Sequence, residues 1–159
     1  HREALARRHR VLRIVVGGLD VDRLARARGG AQMARDAALH LAFLSPATST
    51  SPSPTWVPAS ISSKSPDLGA RVITLSGESS FRIGDGLIST IASGKGGSTI
   101  FDTSIPDTAI APGSPLFNEN GSVIGLSTGA SRSTSSSGYI PSSAIVQSSS
   151  ETKEKATTM

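Results

Sequence analysis

An all-β fold is what this sequence predicts, and three observations predict it. The apolar residues gather in short runs of strand length, rich in Val, Ile, Leu and Thr, rather than along one helical stripe. Clusters of Gly, Pro, Ser and Thr, the residues of turns and loops, separate those runs. Asn120-Gly121, set between Leu116-Phe117 and Val123-Ile124-Gly125-Leu126, is a strong short-range signal for a hairpin.

Taken in order, residues 1–10 (HREALARRHR) fit a short helical turn, and Val11-Leu12-Arg13-Ile14-Val15-Val16 is a β-branched strand closed by Gly17-Gly18. From Val21 to Leu44 two signals oppose each other. The Ala, Leu and Arg content favours helix, while the alternation of Leu39, Leu41 and Phe43 favours a strand at the end of the segment. Residues 45–55 (SPATSTSPSPT) have no apolar periodicity and read as an exposed linker. Strands return with Trp56-Val57, then Arg71-Val72-Ile73-Thr74-Leu75, Gly86-Leu87-Ile88-Ser89-Thr90-Ile91 and Ser98-Thr99-Ile100-Phe101-Asp102. Pro112-Gly113-Ser114-Pro115 is a turn, because Pro fixes φ and Gly accepts φ > 0. Gly129 to Ser137 is a Ser/Thr-rich loop, Gly138-Tyr139-Ile140 a further strand, and Pro141-Ser142-Ser143 the start of a short C-terminal helix. The chain thus divides into a first β unit over 1–44, a linker over 45–55, a second β unit over 56–147 and a frayed polar tail over 148–159.

Composition narrows the function classes. The 159 residues contain no cysteine, which excludes disulfides and thiolate metal sites, and three scattered histidines make no zinc cluster. No cofactor is expected. No apolar run is long enough for a membrane span or a signal-peptide core, and localisation stays open. The chain starts at His1 rather than Met, which reads as a fragment or a trimmed product. With aromatics at 4 %, the core must rest on Val, Ile, Leu and Ala. Nine arginines against four acids in residues 1–40 give that segment +5, while the rest of the chain holds seven basic and eight acidic residues, or −1. Clustered Arg raises a nucleic-acid reading. With no aromatic interleaved and no recognised motif, the segment reads instead as a solvated face, and no specific nucleic-acid partner is expected.

One stretch looks built for chemistry: Asp107 to Gly129, DTAIAPGSPLFNENGSVIGLSTG. Its order of parts resembles the nucleophile segment of trypsin-like serine proteases, especially the HtrA-type bacterial branch, where the motif runs Ala-Ile-Asn-Pro-Gly-Asn-Ser-Gly-Gly-Pro-Leu. Ala109, Ile110, Pro112 and Gly113 fit one side, and Pro115, Leu116, Asn118, Gly121, Val123, Ile124 and Gly125 fit the other. About three residues are missing between them. An alignment anchored on Pro115-Leu116 puts Pro112 at the family's serine and Ser114 two positions past it. Gly138-Tyr139-Ile140-Pro141-Ser142 is similar to the family's Gly-Phe-Ala-Ile-Pro-Ser, a strand lining the specificity pocket. Asp36 to Leu44 is similar to the family's Asp-Leu-Ala-Leu-Leu-Lys-Val strand, which carries the triad aspartate.

This resemblance implies a trypsin-like double β-barrel with an incomplete first barrel, and a polypeptide substrate or extended peptide as partner. It implies His1 as base, Asp36 as carboxylate and Ser114 as nucleophile, with the N–H groups of Gly113 and Ser114 as oxyanion donors and Gly138, Tyr139 and Ile140 against the substrate. Hydrolysis by this chemistry needs all of these parts converging on one carbonyl. The shortened serine motif therefore keeps two readings open beside the Arg-rich one: a serine endopeptidase, and an inactive relative that retains a peptide-binding cleft.

Overall fold

The computed structural model describes residues 13–16, 32–45, 58–77, 80–93 and 98–157. His1, the helical turn over 1–10, most of the Arg-rich segment and the linker over 45–55 lie outside the described residues, apart from Ser45. Nine strands are described: β1 (Arg13–Val16), β2 (Gln32–Asp36), β3 (Leu41–Ser45), β4 (Arg71–Ser76), β5 (Arg82–Ser93), β6 (Thr99–Thr103), β7 (Pro115–Asn118), β8 (Val123–Leu126) and β9 (Gly138–Pro141). A helical turn α1 (Gly129–Arg132) and a C-terminal helix α2 (Ser142–Thr157) complete them. The fold is all-β with one C-terminal helix, as the sequence predicts.

β4-β5-β6-β9-β8-β7 close into an antiparallel barrel, β7 returning to β4 with Ile73 opposite Phe117. β4 shows why the chain folds this way, since Val72, Thr74 and Ser76 point inward while Arg71, Ile73 and Leu75 point out, the period-2 pattern of a strand with one buried face. The two inward hydroxyls are satisfied: Thr74 Oγ1 donates to the Pro115 carbonyl at 2.9 Å and Ser76 Oγ to that of Ala109 at 2.8 Å. On β5 the inward positions before Ile88 are Gly84 and Gly86. A Cβ on either would come within 2.8 Å of the Ile105 side chain, so their bareness is the space that Ile105 fills. Phe101, Tyr139, Leu116, Ile124, Val72, Ile88, Ile105 and Ile110 make up the barrel core.

Residues 1–44 do not form a second closed barrel among the described residues; with Ser45 they supply a three-stranded sheet of order β1-β3-β2. Within residues 32–45 the strand signal prevails over helix propensity, because Leu41 and Phe43 are buried against Leu126, Ile140 and Ile145, a tertiary contact that propensity does not include. Ile145 comes from α2, which packs against β2, β8 and β9 and so binds sheet and barrel together. That helix corrects the polar tail: residues 148–157 continue it rather than fray, and Ser148 and Ser149 are buried. The Ser/Thr-rich loop likewise contains α1. Thr128 caps it, its Oγ1 accepting from the Ser131 N–H at 3.2 Å while Ser131 Oγ accepts from the Thr128 N–H at 2.9 Å.

The Tyr139 hydroxyl is fully buried and has no hydrogen-bond partner among the described residues. Thr74, beside it, is committed as a donor to Pro115. Burial pushes the Tyr139 pKa above its ordinary value of 10.0, with Thr74 and the Arg132 charge acting the other way. A raised native pKa means that the unfolded chain ionises first. Ionisation of the unfolded chain alone therefore lowers stability as pH rises past about 10. Tyr139→Phe is expected to be neutral or stabilising by up to about 1 kcal/mol, since it removes an unpaired buried group at almost constant shape. It should also flatten the alkaline limb of stability against pH in urea unfolding. A loss above about 2 kcal/mol would mean that the hydroxyl has a partner.

Candidate functional site

The segment around Ser114 folds by local rules. Ala111-Pro112-Gly113-Ser114 is a β-turn in which the Ser114 N–H donates to the Ala111 carbonyl at 3.0 Å. Pro sits at the second position and Gly113, at φ 97°, at the third, the residues a type II turn selects. Ser114 Oγ folds back and accepts from the Ala111 N–H at 3.0 Å. The other edge of the turn is sewn to the residue after β8, with the Gly113 N–H on the Ser127 carbonyl at 2.7 Å and the Ser127 N–H on the Ser114 carbonyl at 2.9 Å.

In this geometry the N–H groups of Gly113 and Ser114, the oxyanion donors expected from the resemblance, both donate to backbone carbonyls. Ser114 itself is 2 % exposed. The physical reason is the shortened motif: with a two-residue turn joined directly to β7, the serine becomes the first rung of the β7–β8 ladder rather than the tip of a loop.

Asp36 is placed differently from the sequence expectation as well. It ends β2, and residues 37–40 form a turn before β3 starts at Leu41, so Asp36 to Leu44 is not one strand. The Asp36 carboxylate accepts from the Leu39 N–H at 3.0 Å, closing the turn, and from Ser148 Oγ at 2.6 Å, tying the hairpin to α2. The residue directly before the Leu-Ala that opens β3 is His40.

Gly138, Tyr139 and Ile140 are buried in β9, which pairs with β6 on one side (Phe101 opposite Tyr139) and β8 on the other (Leu126 opposite Ile140). A strand flanked on both sides has no edge to offer, so an extended peptide cannot add along it there. Of the three, Ile140 also forms part of the wall of a cleft beside α1.

What the structure does bring together, and the sequence reading passed over, is a cleft around His40. A cavity of ≈ 170 Å³ opens between the β2–β3 turn and α1, with Leu39, Ile100 and Ile140 as apolar walls and His40, Ser133 and Thr134 as polar ones. His40 has φ 53°, the one positive φ outside glycine among the described residues. Its ring stands over Gly129, where a Cβ would come 2.6 Å from Nδ1. The signal that would have exposed this cleft is tertiary, since turn and helix are ninety residues apart in the chain. Among the described residues no group of His, Cys, Asp and Glu is arranged to hold a metal ion, and no helix is long and apolar enough to cross a membrane.

A closed six-stranded antiparallel barrel, a smaller sheet and a helix packed across both define the chymotrypsin-like class of β proteins. A family model described as trypsin-like peptidase domain matches residues 10–126, and the chain belongs to that family. Among solved structures it is similar to Deg5 (TM-score 0.58, 18 % identity, covering 74 % of this chain and 57 % of that one). It is also similar to Rv3671c from M. tuberculosis H37Rv in an inactive form, as a serine-to-alanine mutant (TM-score 0.56, 18 % identity, 79 % and 65 %). These neighbours are HtrA-type proteases, and at such identity the likeness is one of fold. The chain spans less than two thirds of the length of either structure. No curated protein matches it.

Proposed function

We propose that this trypsin-like peptidase domain binds polypeptide without cleaving it. The observation that carries this reading is the state of Ser114, buried to 2 % exposure, with its Oγ and N–H bonded to Ala111 and the Gly113 N–H bonded to Ser127. Acyl transfer needs a serine that can reach a carbonyl and free donors to hold the oxyanion. The triad reading assigns base, carboxylate and nucleophile to His1, Asp36 and Ser114. It would require the turn to open and give up four hydrogen bonds, each worth roughly 0.5–1.5 kcal/mol net. The peptide is proposed to place one small apolar side chain in the cleft between His40 and α1, whose apolar walls supply affinity and whose hydroxyls orient it.

A fluorophosphonate probe tests the reading, because only a serine activated by a base and an oxyanion site reacts quickly with it. No labelling is expected, together with saturable binding of an extended peptide library to the wild type. Ser114→Ala should leave that binding unchanged and lower stability by about 1 kcal/mol through the lost bond to Ala111. Rapid labelling abolished by Ser114→Ala would establish the endopeptidase instead. Absence of both labelling and peptide binding would sink both readings. The Arg-rich segment remains a separate alternative. Salt-resistant, sequence-selective binding of nucleic acid by residues 1–40 would favour it, since phosphate contacts alone weaken steeply with salt.

A further inference from the structure

We propose that Asn120 is a site of spontaneous covalent modification, deamidating through a succinimide formed with Gly121 at the tip of the β7–β8 hairpin. The chain has two asparagines, Asn118 and Asn120, and the fold treats them oppositely. Asn118 is half-buried and its Oδ1 accepts from the N–H groups of Asn120 at 3.1 Å and Ser122 at 2.9 Å, so its side-chain amide is held; the residue after it, Glu119, has a side chain that crowds the attacking nitrogen. Asn120 is exposed, and its side chain makes no hydrogen bond among the described residues. The residue after it is glycine, and apart from its chain neighbours no atom stands within 4 Å of where a Cβ would be, so no side chain at 121 crowds the attacking nitrogen. The opposing term is one hydrogen bond, from the Gly121 N–H to the Asn118 carbonyl at 3.0 Å, at a tip open to solvent.

In the reaction, a solvent base takes the Gly121 amide proton and the nitrogen attacks Asn120 Cγ. The Cγ–Nδ2 bond breaks, ammonia leaves, and a five-membered succinimide remains. Water then adds to one of its two carbonyls, opening the ring to aspartate or to isoaspartate. Either product puts a new carboxylate beside Glu119. Isoaspartate also inserts a carbon into the backbone. The hairpin register that starts at Phe117 opposite Val123 runs through Leu116 and Pro115 to the rungs that seat Ser114 on Ser127, so the change acts on the turn that buries the serine.

The test is a peptide map of the folded protein by mass spectrometry after prolonged incubation at neutral and mildly alkaline pH, with a short peptide of the same sequence alongside. The expected result is a gain of about one mass unit confined to Asn120, faster at the higher pH, with isoaspartate detected by its methyltransferase. Asn118 should remain intact. Asn120→Gln, which keeps the backbone and would need a larger ring, should lose the mass gain; Gly121→Ala is a poorer probe, because φ 72° strains any side chain there. The proposal is overturned if Asn120 in the folded protein stays intact while the free peptide deamidates, or if Asn118 changes as fast as Asn120.

Discussion

Phe101→Ala is expected to lower stability by about 3–5 kcal/mol, the cost of emptying a large aromatic site in a core that cannot collapse onto it. Phe101 is 1 % exposed and belongs to the barrel core with Ile88, Ile105 and Tyr139. A domain of this size has roughly 5–15 kcal/mol in total, so the substitution takes a large share and should drop Tm by roughly 6–20 °C. Urea unfolding followed by far-ultraviolet circular dichroism measures it, with the midpoint falling and the slope unchanged. A loss under about 1 kcal/mol would show that the barrel is not packed around this ring.

Gly138→Ala is expected to cost about 1–3 kcal/mol and to abolish peptide binding, an effect on the cleft out of proportion to the effect on the fold. A Cβ at Gly138 would stand 2.7 Å from the Ser131 carbonyl oxygen and 3.0 Å from that of Ser135, and neither backbone oxygen can swing away like the end of a side chain. The strand cannot yield, since it is paired to β6 and β8. The helical turn α1 must move instead, and with it Ser133 and Thr134, which wall the His40 cleft. Isothermal titration with the peptide selected on the wild type, run beside thermal melts, separates the two effects. A variant that melts lower yet binds normally would detach the cleft from α1.

Much of the barrel could be read from the chain because its strands are written locally. Arg71 to Leu75 alternates, and Asn120-Gly121 makes its hairpin with the residues on either side. The Pro-Gly turn was equally legible. Its consequence for Ser114 was not, because burial of that serine depends on Ser127, which the sequence does not mark as its partner. The same holds for Gly138 to Ile140: a strand can be read from sequence, but its being an inner strand depends on β6 and β8 arriving on either side. The turn over residues 37–40 contains no Gly, Pro or Asn, and is made by the Asp36 carboxylate and by His40 at positive φ. Nothing local announces it, which is why Asp36 to Leu44 read as one strand. Ser131, closing the cap of α1 from a position where Glu or Gln is the usual signal, hid that helix in the same way.

Closure of the barrel through β4 and β7 has a consequence for how the protein is made. The clasp joins Thr74 to the Pro115 carbonyl and Val72 to Asn118, so the edge of β4 stays open from the moment Ser76 is synthesised until Asn118 follows. At 5–20 residues per second that interval is roughly 2–8 s, long compared with the microseconds in which the β4–β5 hairpin can form. Throughout it a growing chain carries an unpaired strand edge beside outward-facing Ile73 and Leu75, the kind of template that recruits a neighbouring nascent chain. Yield of soluble protein should therefore respond to translation speed across residues 77–118 more than to any property of the finished fold.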